Sequence, residues 1–192
     1  MQDKIHILAT LMLLTVILWS MPAESSDIPI IPAGTNDTSP CTLYVSPPDT
    51  LVFLDTEFWM DVVINISIVD LMGYDIVITF DNTLLEVKDV VEGSLPSDSG
   101  HQTFFYYWGN GGTEIHATGS IMGNTIDGPG ALFSIKFKAV SVGTATLSVS
   151  YSELRDEANT SIAHETEGAN VEIDIRIGVE KSTWGRLKML YR

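Results

Sequence analysis

Five aromatic side chains in succession, Phe104-Phe105-Tyr106-Tyr107-Trp108, and three isolated histidines, His101, His116 and His164, have the most chemistry to offer in this chain. In an extended strand Phe104, Tyr106 and Trp108 fall on one side and Phe105 and Tyr107 on the other. Five rings in a row cannot all enter one core, so one set is expected at the surface. Exposed rings stack on the flat face of a pyranose or anchor a protein partner. No second histidine lies two or four positions from His101, His116 or His164, so no zinc-type pair is offered. Asp75 is the acid singled out by position, because the alternation around it turns its carboxylate outward, where it can accept hydrogen bonds from a partner.

Catalytic constellations are missing. Glycoside hydrolysis needs two carboxylates several Å apart across a cleft, and no loop here is built to carry such a cleft. GxSxG, HExxH, phosphate-loop and dinucleotide fingerprints are all absent from the sequence. A non-enzymatic protein without a cofactor is therefore expected. The corner Asp81-Asn82-Thr83 is best explained by short side chains bonding their own backbone in a turn. Calcium wants six to eight oxygens, and three short side chains fall well below that.

The elements that must hold these residues are strands. Phe58, Met60, Val62, Ile64, Ile66 and Ile68 share one parity, with Trp59, Asp61, Val63, Asn65 and Ser67 on the other. Tyr74, Ile76, Ile78 and Phe80 alternate with Asp75, Val77, Thr79 and Asp81. Ile115, Ala117, Gly119 and Ile121 alternate with Glu114, His116, Thr118 and Ser120. Ala131, Phe133, Ile135, Phe137 and Ala139 alternate with Leu132, Ser134, Lys136 and Lys138. Ala145, Leu147, Val149 and Tyr151 form a further apolar row, and Val171, Ile173, Ile175 and Ile177 close the series. Period two with one greasy face demands a second sheet to cover it. Turns rich in Gly, Pro, Asn and Asp separate the runs. The expected fold is all-β, an antiparallel sandwich of about nine strands.

Organisation along the chain follows from composition. Lys4 precedes the apolar run Ile5 to Trp19, and Ser20-Met21-Pro22-Ala23-Glu24 follows with a small residue at a plausible cleavage point, which matches a secretory signal over residues 1–23. The run is shorter than the ~20 apolar residues of a membrane span, so no span is expected after cleavage. Residues 24–40, rich in Pro, Ser, Thr and Asp, read as a linker, and 41–178 as the sandwich. Cys41 is the only cysteine, so no internal disulfide can form, and it is expected as a small buried residue at a strand start. A formal charge of −15 argues against nucleic acid. Residues 179–192 are a basic amphipathic tail: Lys181, Arg186, Lys188 and Arg192 accompany Trp184, Leu187 and Leu190 or Tyr191, which a short helix would set on one side. This WGRLKMLYR ending resembles short endings found on exported proteins of some bacterial lineages, which implies export or envelope machinery as a partner of the tail. Asn36, Asn65 and Asn159 lie in Asn-x-Ser/Thr sequons.

In order along the chain, "CTLYVSPPDTLVFLDTEFWMDVVINI", "GYDIVITFDNTLLEV", "DGPGALFSIKFKAV" and "GTATLSVSYSELRDEANTSI" resemble the elements of the cohesin domain. That family is a sandwich of jelly-roll type used by scaffold proteins of cellulose-degrading assemblies to hold calcium-binding dockerin domains. Phe80-Asp81-Asn82 stands in the place of the family's tyrosine-aspartate-proline corner. Leu54-Asp55-Thr56 replaces its usual glycine-containing turn. The resemblance implies a secreted or cell-surface protein-protein interaction module linked to polysaccharide catabolism, with Asp75 at a dockerin-contacting position. Tyr106, Trp108, His116 and Thr118 complete the implied partner face, and any calcium belongs to the partner. The repeated Asp-x-Asn-x-Asp loop of a dockerin does not occur here. The same superfamily includes carbohydrate-binding modules, so polysaccharide binding through Trp59, Tyr106 and Trp108 is the alternative, and a structural envelope protein is a third.

Overall fold

The computed structural model describes residues 41–65, 68–110 and 112–176. The expected signal peptide, linker and basic tail, and the positions of Ile66, Ser67 and Ile177, lie outside the described residues. Among the described residues, eleven strands and one short helix follow in order. They are β1 (Thr42–Ser46), β2 (Asp49–Phe53), β3 (Glu57–Ile64), β4 (Gly73–Thr79), β5 (Leu85–Glu92), α1 (Ser94–Ser97) and β6 (Gln102–Asn110). Then come β7 (Glu114–Met122), β8 (Gly130–Ala139), β9 (Gly143–Arg155), β10 (Glu165–Glu167) and β11 (Ala169–Asp174). No helix among the described residues is long and apolar enough to cross a membrane.

The strands form two sheets, ordered β10-β1-β3-β8-β5 and β2-β11-β9-β4-β7-β6. Pairing is antiparallel except for β1 with β10 and β2 with β11, which are parallel. The exceptions have one cause. The segment β1–β2 passes from the first sheet to the second, and β10–β11 later makes the same passage alongside it.

Between the sheets lies an apolar core that includes no buried polar or charged side chain among the described residues. Phe133 and Phe137 of β8 are its largest fully buried members, and Phe80 meets Phe137 edge-on at 5.2 Å. Each fully buried Leu, Ile or Phe contributes about 1.5–3 kcal/mol, which is how the domain stands without a disulfide. Cys41 is buried just ahead of β1, and burial pushes its thiol above the ordinary cysteine range.

The alternation places Phe58 to Ile64, Tyr74 to Phe80 and Ile115 to Ile121 as expected, and it fails in β8, β9 and β11. In β8, Ala131, expected in the core row, pairs with outward Val63 and is only half-buried. Leu132, expected outward beside Ser134, is fully buried. It is an extra residue in β8, because Val62 pairs with Phe133 and Val63 with Ala131, and Gly93 closes over its carbonyl with a 2.8 Å bond. Tyr151, expected in the core row with Leu147, is exposed. Val77 pairs with Tyr151 and Ile78 with Val149, so Ser150 is the bulged residue and every side chain after it changes face. Ile175, expected to extend the row of Val171 and Ile173, lies past the end of β11 and is exposed.

Two turns show how local chemistry serves the fold. Asp55 takes the left-handed conformation at φ 64°, which Asp tolerates better than most residues, so the glycine of the family's turn is dispensable here. At the acidic corner, Asp81 Oδ1 accepts the Thr83 amide at 2.8 Å and the Thr83 hydroxyl at 2.6 Å. Those two bonds hold the Asp81 carboxyl below the usual range and are local turn bonds of the kind short side chains make at such a corner.

Candidate functional site

The outer face of β9-β4-β7-β6 collects the residues that the sequence singled out. Its side chains lie in cross-strand rows fixed by the register. One row runs Glu153, Asp75, Thr118, Tyr106, and the next runs Tyr151, Val77, His116, Trp108. On one side of these lies the row Arg155, Gly73, Ser120, Phe104, and on the other Ser148, Thr79, Glu114. Asp75, Tyr106, Trp108, His116 and Thr118 are thus neighbours on one surface. Trp59 is not among them. It sits on β3 of the opposite sheet, facing away, with Lys136 over its ring at 5.8 Å. A sugar platform joining Trp59 to Tyr106 and Trp108 is excluded by this topology.

Within the face, His116 Nε2 lies 2.5 Å from Asp75 Oδ1, and the imidazole packs against Trp108 at a centroid distance of 3.8 Å. Tyr106 continues the stripe at 5.7 Å from Trp108. Thr118 donates its hydroxyl to the Tyr74 carbonyl at 3.2 Å, which ties β7 to β4 beneath the surface. On the far side, Glu153 accepts the Tyr151 hydroxyl at 3.2 Å and pairs with Arg155. That bond to Glu153 raises the Tyr151 phenol above its ordinary range. Because Gly73 has no side chain, the face is dented there. A hollow of about 250 Å³ is lined by Gly73, Asp75, Thr118, Glu153 and Arg155.

The sequence reading missed Tyr151, Glu153 and Arg155, since unbroken alternation would have sent Tyr151 inward. The signal was available. Leu147 and Leu154 are both apolar and seven positions apart, so they cannot share a face unless one residue is bulged between them. His101 and His164 stay apart from the face. His101 bonds Asn124 at 3.2 Å, and His164 bonds Ser152 at 2.7 Å.

Chemically the surface is suited to recognition. Asp75 and Glu153 are carboxylates held in place by neighbours, flanked by an uncharged aromatic stripe. Among the described residues, no group of three or more His, Cys, Asp or Glu side chains could hold a metal ion.

A model of the cohesin domain family matches residues 60–175. The chain belongs to the cohesin family. This cohesin domain is similar in structure to a non-cellulosomal cohesin from the hyperthermophilic archaeon Archaeoglobus fulgidus. The two share 21% identity over 77% of this chain and 98% of that one, with a TM-score of 0.59. It is also similar to the sixth cohesin of scaffoldin B from Acetivibrio cellulolyticus, solved in complex with a Cel5 dockerin. There the identity is 14% over 71% of this chain and all of the other, with a TM-score of 0.61. A type I cohesin-dockerin complex from Clostridium thermocellum gives 16% identity over 70% of this chain and 99% of that one, at a TM-score of 0.59. At such identities the likeness establishes the cohesin fold. Comparison with curated proteins returns no significant match.

Proposed function

We propose that this cohesin domain is a secreted, non-catalytic docking module that binds a dockerin-class partner through the outer face of β9-β4-β7-β6. The observation that carries the reading is the gathering of Asp75, His116, Thr118, Tyr106 and Trp108 on that one face, with rigid strands beneath them. Family membership and the relatives solved as complexes with dockerins support it. Calcium would sit on the partner, folding the helices that lie across the rows. A specific interface of this kind buries about 800 Å² on each side, and four strands supply a face of that order. The apolar anchors would be Tyr106 and Trp108, and Asp75 with Glu153 would receive donors from the partner.

The test is calorimetric titration of the purified protein with dockerins encoded by the source genome, in calcium and in chelator. Calcium-dependent binding that weakens tenfold or more in Asp75→Ala, about 1.4 kcal/mol, is the expected result. Binding that ignores both Asp75→Ala and Tyr106→Ala overturns this choice of face. Retention on a polysaccharide gel, lost in Trp108→Ala and unaffected by Asp75→Ala, would make sugar the ligand instead.

A further inference from the structure

The two sheets have four edges among the described residues, and three are guarded. β10 is three residues long and carries Glu165 and Glu167. β5 bears Glu86, Lys88, Asp89 and Glu92 and is bulged at Lys88, which the register skips between Val87 and Asp89. β2 is five residues long, begins with Asp49 and is preceded by Pro47-Pro48. Charge, proline, bulges and shortness are the usual means by which a sheet avoids pairing with another chain.

β6 has none of these protections. It is nine residues long, contains no charged residue and no proline, and pairs with β7 from Gln102 to Asn110 without a register break. No strand among the described residues pairs with its other side. Phe104, Tyr106, Tyr107 and Trp108 are all exposed along it. In a chain of net charge −15, a bare, neutral, aromatic edge of this length is anomalous.

We infer that β6 pairs antiparallel with β6 of a second copy of this chain, on a two-fold axis through Tyr106. The sequence of the strand is self-complementary in that register. Phe104 lies opposite Trp108 of the second copy, Tyr106 opposite Tyr106, and Phe105 opposite Tyr107. Thr103 faces Gly109, and Gln102 faces Asn110. Every central pair is aromatic on aromatic, the class that stabilises cross-strand contacts, and no charge opposes a like charge. An isologous contact of this kind closes at two copies, so it does not propagate into a fibre. The inference goes beyond the docking function and does not depend on a partner. It joins two six-stranded sheets edge to edge and sets two docking faces side by side.

The experiment is sedimentation equilibrium of the purified protein, wild type, Tyr106→Lys and Tyr106→Glu, each alone and the two variants mixed. Wild type is expected to form a concentration-dependent dimer. Its association should tighten from low salt to about 0.15 M, because screening weakens the repulsion between two acidic copies. Each variant alone places like charges opposite each other on the axis and should weaken association tenfold or more. An equimolar mixture places Lys opposite Glu and should restore the dimer, which also shows that both variants fold. A wild-type monomer at every concentration reached overturns the inference, as does a dimer indifferent to both substitutions. A mixture that stays monomeric while each variant retains the wild-type circular dichroism spectrum overturns the axis at Tyr106.

Discussion

Gly119 and Tyr74 provide the sharpest test of the packing that positions the docking face. They lie directly opposite each other on β7 and β4, on the core side of the sheet whose outer side carries Thr118 and Asp75. A Cβ on Gly119 would collide with the hydroxyl end of the Tyr74 ring, at Cζ, Oη and Cε1. That ring cannot easily retreat, because Tyr74 is 3% exposed, donates its hydroxyl to the Leu132 carbonyl at 3.1 Å and stacks on Phe133 at 6.4 Å. Gly119→Ala should therefore overpack the site by about 1–3 kcal/mol, against a recovered backbone entropy of about 0.5–1 kcal/mol. A net loss near 1–2 kcal/mol is expected. Tyr74→Leu removes the ring at a cost of about 2–3 kcal/mol, within the range for large-to-small core changes. It does not orphan the Leu132 carbonyl, which keeps its 2.8 Å bond from the Gly93 amide. In that background the methyl of Gly119→Ala enters vacated space, and its effect should turn neutral or slightly stabilising. Urea unfolding of the four proteins gives the cycle, with an expected coupling near 2 kcal/mol. Additivity within about 0.5 kcal/mol would show that the ring does not occupy this position, and the argument for the register of β4 on β7 would lose its physical basis.

Three further outcomes follow from individual residues. Cys41, buried and held as the thiol, should react slowly with a thiol-directed reagent in the native protein near neutral pH and rapidly in denaturant; equal rates would place it at the surface. Asp81 has a depressed folded pKa, so the stability it contributes is present above the ordinary carboxyl value near ~3.9 and is lost as pH falls through and below it. Asp81→Asn should flatten that acid limb in unfolding midpoints measured from pH 7 downward, and an unchanged limb would deny the Thr83 bonds their role. Tyr74 has a folded pKa raised chiefly by burial and secondarily by Glu92, so its contribution is complete below about 10 and is lost as pH rises above that. Tyr74→Phe should remove up to about 1.4 kcal/mol per pH unit from the alkaline decline, and an identical slope in both proteins would refute the assignment.

The sandwich was legible because one physical requirement repeats in strand after strand. Met60, Val62 and Ile64, or Ile76 and Ile78, must all leave water together, and period two is the only pattern that permits it. Asp75, His116 and Thr118 were legible for the same reason, since an outward parity needs no tertiary knowledge. What alternation cannot show is which strands are neighbours. Trp59 has the same outward parity as Trp108, yet sheet order sets them on opposite faces of the molecule. Sheet order is decided by long-range closure, which leaves no local trace in either strand. The bulges at Leu132 and Ser150 were visible in principle as out-of-step apolar residues, but locating the extra residue requires the partner strand's register.

The bulge at Ser150 has a role beyond irregularity. Before it, β9 presents Thr144, Thr146 and Ser148 outward, small side chains with little to offer a partner. After it, the same strand presents Tyr151, Glu153 and Arg155 beside Val77, Asp75 and Gly73. One inserted residue thus converts the half of β9 nearest Asp75 from a bland surface into a bonded trio, with Glu153 held by both Tyr151 and Arg155. The ion pair within that trio is half-exposed and contributes little to stability, so its value lies in fixing where the carboxylate points. Meanwhile Leu154, which unbroken alternation would have turned outward, is returned to the core opposite Tyr74. The extra residue therefore serves both faces at once: it keeps the interior apolar to the end of the strand and places a second acid beside Asp75.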